Sequence, residues 1–144
     1  AWLAMQREVA LRLAAVPGTK AYGRLTILIQ YHFEVKVLMR LPRQAFFPAP
    51  TVDSAGVRLL PRPMPPVEGA RPKLLFELVQ AAFGQRRKTL VNALTHGMHP
   101  ALSRADAEAL LAQAGLPLKV RGETLSIEQF ARLADLLLRQ QEDA

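Results

Sequence analysis

Cysteine is absent from the 144 residues, which excludes a disulfide framework and any thiolate metal site. Long apolar runs are missing too. None reaches the ~18 residues that a bilayer span needs, and the opening AWLAMQREV acquires charge too soon for a secretory leader. There is no GxGxxG turn, no P-loop and no conspicuous carboxylate pair. The histidines His32, His96 and His99 stand apart without HxxE or HxH spacing, so no metal is expected. Asp53-Ser54 has no histidine placed to complete a triad; Asp53 reads instead as a cap on the entry to a strand. These absences leave a folded, cytoplasmic chain with one core and a small appendage.

What is abundant is positive charge. Lysine and arginine number 19 against 12 acids, a net charge of +7. The excess is polarised. Residues 1–60 carry eight bases and three acids, residues 61–100 six and two, and residues 101–144 five and seven. A basic surface on one part of a chain is the footprint of a polyanion binder, and nucleic acid is the favoured partner.

Periodicity divides the chain into elements. AWLAM reads as a buried strand with neighbours on both sides, so the chain is expected to be the C-terminal piece of something longer. Arg7 to Val16 has helical spacing through Val9, Leu13 and Val16, ended by Pro17-Gly18. Tyr22 to Tyr31 has strand-like Thr26, Ile27 and Ile29, but its length and its Leu25, Leu28, Ile29 spacing predict a helix. Phe33 to Leu41 alternates with period two, a strand with one polar face. Pro42, Pro48 and Pro50 force an extended loop. Ser54 to Leu60 resumes as a strand, pairing antiparallel with the previous one at a sheet edge. PRPMPPVEGARP (61–72) is a linker.

Beyond it the pattern is all-helical. Pro72 opens a helix to about Phe83. A second is expected from Gln85 to His96, stopped by Gly97. Capping boxes at Ser103–Asp106 and Ser126–Gln129 open two more, the first closed by Gly115 and the second running to Gln140. The expected fold class is α/β: residues 1–62 form the C-terminal edge of a Rossmann-like sheet, 63–71 a proline-rich linker, and 72–144 a small all-helical domain.

Two stretches carry chemistry. Gln85-Arg86-Arg87-Lys88 puts three cations at a helix start, where they oppose the macrodipole at a cost of a few tenths of a kcal/mol each. Stability does not account for that placement, whereas phosphate contacts do. Phe46-Phe47-Pro48-Ala49-Pro50 sets two aromatic rings on a stiff loop after a strand, a common place for substrate contacts. Two readings of the rings stand: a flat surface for a base, or ordinary core plugs.

Five segments taken together give a sharper pattern: MQREVALRL (5–13), GTKAYGRLTILIQY (18–31), FFPAPTVDSAGVRL (46–59), AFGQRRKTLVNAL (82–94) and RGETLSIEQFARLAD (121–135). In this order they resemble the ribosomal RNA adenine dimethyltransferases, the family that includes the kasugamycin-sensitivity methyltransferases of bacteria. The resemblance implies transfer of methyl groups from S-adenosylmethionine to the N6 amines of two adjacent adenines near the 3′ end of small-subunit (16S) rRNA. The implied partner is the immature small ribosomal subunit, and the implied state a monomer. The resemblance also implies that Phe46, next to Phe47, matches the aromatic that lies against the target base, that Pro48 and Pro50 hold its loop, and that Gln85, Arg86, Arg87 and Lys88 clamp rRNA; which of the two rings meets the base stays open. A relative acting on large-subunit rRNA is disfavoured by the Gln-Arg-Arg-Lys and RGETLS segments. The family's donor-binding half, with its glycine-rich loop and its Asn-Leu-Pro-Tyr segment, is not found here. No catalytic set is therefore complete, and the chain alone is expected to be inactive. A non-catalytic rRNA-binding or assembly module is the alternative.

Overall fold

The computed structural model describes residues 1–42, 44, 52–64, 72–85 and 87–142. The chain divides into two compact units, Ala1–Val16 with Lys20–Pro65, and Pro17–Thr19 with Pro66–Ala144. Among the described residues, no helix is long and apolar enough to cross a membrane.

The first unit is mixed α/β, as its alternating and helical patterns require. Strand β1 (Trp2–Gln6) runs straight into helix α1 (Arg7–Leu13); helix α2 (Arg24–His32) runs straight into strand β2 (Phe33–Leu41), and strand β3 (Ser54–Pro61) follows. The sheet is three-stranded in the order β1-β3-β2, with both pairings antiparallel. Met5 faces Ala55 across one ladder and Val35 faces Leu59 across the other, and a bulge interrupts β2 between Val37 and Met39. The period-two rule assigns the faces. Ala55, Val57 and Leu59 of β3 are buried together with Ala10 of α1, and Met5, Ile29, Phe33 and Val35 pack around them.

Two expectations need correction here. Strand β1 exists but is not buried. It pairs with β3 alone, and Trp2 is 64% and Leu3 47% exposed. Strands β2 and β3 pair antiparallel at the sheet edge as expected, with β2 outermost. Helix α1 ends at Leu13 instead of Val16, and it turns Ala10 and Leu13 inward while Val9, Leu11 and Val16 are exposed. The Arg7 amide donates to the Asp53 carbonyl at 2.9 Å, which fixes the start of α1 against the residue preceding β3. Asp53 also pairs its carboxylate with Arg40.

Helix α2 forms despite its β-branched residues, although its inward face is Thr26, Ile27 and Tyr31, with Leu25 and Leu28 exposed. Thr26 shows why. Its buried hydroxyl donates to the Arg12 carbonyl at 2.6 Å and accepts from the Gly23 amide at 3.1 Å. Gln30 donates to the carbonyls of Leu13 and Ala15, which meets the need of α1 for partners at its C-terminal end.

The second unit is helical: α3 (Pro72–Gly84), α4 (Leu90–Gly97), α5 (Arg104–Gln113) and α6 (Ile127–Glu142), with a 3-10 turn at Gly122–Thr124. Each helix commits one apolar stripe to a shared core. Leu75 and Leu78, Leu90 and Leu94, Leu110 and Leu111, and Phe130, Leu133 and Leu137 are all buried. Each such side chain contributes about 1.5–3 kcal/mol. The capping residues act as their spacing predicts. Ser103 accepts from the Asp106 amide at 3.1 Å. Ser126 and Gln129 exchange reciprocal bonds of 2.8 and 3.2 Å. Gly115 closes α5 at φ +72°: its amide donates to Ala112, and that of Leu116 donates to Leu111. This is the double closure that a left-handed glycine permits.

Candidate functional site

The segment Gln85 to Lys88 is not the first turn of a helix. Helix α3 ends at Gly84 and α4 begins at Leu90, so Gln85, Arg87 and Lys88 fall in the connection between them. The reason is Thr89. Its side chain accepts from the Asn92 amide at 3.4 Å, making it the N-cap of α4, and a β-hydroxyl residue in that role sets the boundary. The Lys88 amide donates to the Gln85 carbonyl at 3.0 Å and closes a tight turn. The Leu90 amide donates to the Val120 carbonyl at 2.7 Å and ties the start of α4 down. Arg87 and Lys88 precede the cap and remain beside the positive end of α4.

Gln85, Arg87 and Lys88 line a surface cleft of about 540 Å³ together with His96 from the last turn of α4. Arg87, Lys88 and His96 are exposed. Among the described residues, neither Arg87 nor Lys88 has an ion-pair partner, whereas Arg12, Arg40, Arg104 and Arg121 each face a carboxylate. Cations left unpaired beside one another repel, and a bound anion relieves that repulsion. A second cleft of about 580 Å³, near α5 and α6, has both Asp106 and Arg139 in its lining and no such excess.

Asn92 organises the flank of the basic cleft. Its carbonyl lies 2.7 Å from His96 Nδ1, and its side-chain oxygen accepts from Arg104 Nη1 at 3.0 Å. Arg104 also meets Glu108 at 3.2 Å. Thr89, Asn92, His96 and Arg104 were not singled out by sequence reasoning as parts of this surface. The signal for two of them was there: Asn92 and His96 are four residues apart within α4, which aligns them on one helical face. Arg104 is brought in by tertiary packing alone.

Of the expected site residues, the structure brings Gln85, Arg87 and Lys88 together. Arg86, Phe46, Phe47, Pro48 and Pro50 lie outside the described residues. Among the described residues, no three His, Cys, Asp or Glu side chains converge.

Residues 1–138 match the family model described as ribosomal RNA adenine dimethylase. Curated relatives named ribosomal RNA small subunit methyltransferase A, from Bacillus cytotoxicus and Bacillus mycoides, are each 50% identical over 135 residues. The match takes in 93% of this chain and 46% of each relative, so the chain spans about half their length. Among solved structures, the 23S rRNA methyltransferase ErmE is 29% identical at a TM-score of 0.64, over 95% of this chain and 54% of that one. A dimethyladenosine transferase from Plasmodium falciparum, at 24% identity, superposes with a TM-score of 0.72 over 99% of this chain and 57% of its own, a likeness of fold. The chain belongs to the ribosomal RNA adenine dimethylase family.

Proposed function

We propose that this family member is the rRNA-docking half of an S-adenosylmethionine-dependent enzyme that dimethylates the N6 amines of two adjacent adenines near the 3′ end of small-subunit rRNA. It acts in the cytoplasm, as a monomer, on the immature small subunit during ribosome biogenesis. The observation that carries the reading is that Arg87 and Lys88, in the cleft with Gln85 and His96, have no ion-pair partner among the described residues. They lie within AFGQRRKTLVNAL, the most specific of the family-like segments. Residues 72–144 form the docking domain, 63–71 the linker, and 1–62 the C-terminal part of the catalytic domain.

The division of labour follows from the chemistry. Phosphate contacts hold a structured RNA in register without reading its bases. Arg87 and Lys88, joined by Arg86, supply them here. An adenine that is to be modified leaves its stack at a cost of a few kcal/mol. Stacking on an aromatic face returns about 1–3 kcal/mol, the role of Phe46 on the loop shaped by Phe47, Pro48 and Pro50.

The methyl groups come from S-adenosylmethionine, and the junction between β1 and α1 does not fit a site for it. Ligands of α/β sheets sit in loops at the carboxyl ends of strands. Strand β1 ends at Gln6 and α1 begins at Arg7, which leaves no loop between them to cradle a donor. In this reading, donor binding falls to residues outside this chain. The test is to mix the 144-residue chain with undermethylated small subunits and radiolabelled S-adenosylmethionine. Binding without label transfer is expected. Label on the rRNA would overturn the assignment of the donor site, and absence of particle binding would overturn the docking role.

A further inference from the structure

His96 adds to the basic cleft a group whose direction of hydrogen bonding is fixed. Arg87 and Lys88 only donate, and the amide of Gln85 turns either way. His96 differs. Its Nδ1 lies 2.7 Å from the Asn92 carbonyl oxygen. A carbonyl only accepts, so Nδ1 carries the proton, and in the neutral imidazole Nε2 is then an acceptor. Among the described residues, Nε2 has no partner. Among the described residues, the cleft thus holds two cations without an ion-pair partner and an oriented acceptor.

Few biological groups match that set. A phosphate alone satisfies the cations and leaves Nε2 facing another acceptor. A ribose–phosphate unit satisfies both, because its phosphate oxygens accept while its 2′-hydroxyl donates. We infer that this cleft seats one ribose–phosphate unit of RNA, with the phosphate against Arg87 and Lys88 and the 2′-hydroxyl donating to His96 Nε2. The inference rests on the RNA-docking reading above and deepens it: His96 makes the cleft selective for RNA over DNA. Asn92 is a positioning residue in this arrangement, since its carbonyl sets the His96 tautomer.

The experiment compares a 5′-fluorescein RNA hairpin bearing two adjacent loop adenines with the same hairpin built on 2′-deoxyribose. Binding of each to the chain is measured by anisotropy in mildly alkaline buffer. The unsubstituted chain is expected to prefer RNA, and His96→Phe to shrink the RNA-to-deoxy preference about three- to tenfold, the effect of one hydrogen bond. His96→Gln, whose amide oxygen accepts, is expected to retain part of the preference. An RNA preference unchanged in His96→Phe overturns the inference. So does equal weakening on both hairpins, which would make His96 a phosphate donor. The docking reading is tested separately by Arg87→Ala/Lys88→Ala. If that pair weakens RNA binding while His96→Phe leaves the preference intact, docking stands and the ribose assignment falls. If the pair binds RNA as tightly as the unsubstituted chain, docking falls, and the ribose assignment falls with it.

Discussion

Gly122 and Ala82 are in such close contact that a Cβ placed on Gly122 would lie 2.8 Å from the Cβ of Ala82. Gly97 meets the residue before Ala82, Ala81, in the same way, also at 2.8 Å. Two successive alanines of α3 are thus each matched to a glycine, one in the 3-10 turn and one at the end of α4. Neither glycine has a positive φ, so space and not backbone conformation selects it. The approach brings the 3-10 turn and the end of α4 onto α3, the helix that leads into the basic turn.

Gly122→Ala is therefore expected to destabilise the chain by about 1–3 kcal/mol through overpacking. Urea denaturation reads this as a lower midpoint at unchanged slope. Ala82→Gly in the same background should recover part of the stability, because it vacates the Cβ that the new methyl meets. A midpoint unaffected by Gly122→Ala would mean that α3 shifts away at no cost.

Thr89 makes a second prediction. As the N-cap of α4 it separates the helix from the cation turn. Thr89→Ala is expected to cost about 1 kcal/mol, and Thr89→Ser to retain most of that stability. The alanine substitution also lets the start of α4 fray beside Lys88, so RNA affinity should fall with stability in Thr89→Ala and hold in Thr89→Ser. Reduced stability with no change in RNA affinity would separate the cap from the cleft.

The sequence made the elements and the basic segment legible, but not the helix faces or the flank of the cleft. Alternation in Phe33–Leu41 and Ser54–Leu60 and the Ser126–Gln129 capping box are local signals, and each corresponds to an observed element or bond. The inward faces of α1 and α2 depend on what lies against them. Arg7 is held by the Asp53 carbonyl from far along the chain, and Thr26 is bonded to Arg12 on another helix, so spacing alone favoured Val9 and Leu25 over Ala10 and Ile27. Thr89 lay inside the expected helix because its neighbours Leu90, Val91 and Leu94 extend an apolar pattern that starts before the cap. Arg104 was hidden for a different reason: its bond to Asn92 joins two helices, and no motif spans that gap.

Salt dependence supplies a third prediction. Each phosphate that a cation neutralises contributes about 0.7–0.9 to the slope of log affinity against log salt. Arg87→Ala/Lys88→Ala should flatten the slope by up to that amount for each phosphate no longer neutralised. Arg104→Ala is expected to change it less, because Arg104 already faces Glu108 at 3.2 Å. Anisotropy titrations of an RNA hairpin over a series of salt concentrations give both slopes. Equal slopes for the unsubstituted and doubly substituted chains would make Arg87 and Lys88 a solvated surface.

Phe46 allows binding and turnover to be separated. Arg87 and Lys88 lie in the helical unit, whereas Phe46 falls in the sequence between β2 and β3, so under the proposed function docking of the particle and capture of the base draw on different residues. In a polypeptide that also carries the donor-binding half, Phe46→Ala should leave particle affinity near that of the unsubstituted protein. Removal of about 1–3 kcal/mol of stacking on the extruded adenine should appear in turnover as a reduction of about five- to a hundredfold. Phe46→Trp, which keeps an aromatic face, should restore much of the rate, whereas Phe46→Leu, which keeps only apolar bulk, should not. A core role predicts a different pattern. Phe46→Ala would then lower the denaturation midpoint and reduce affinity and turnover together, and Phe46→Leu would be the better substitute of the two.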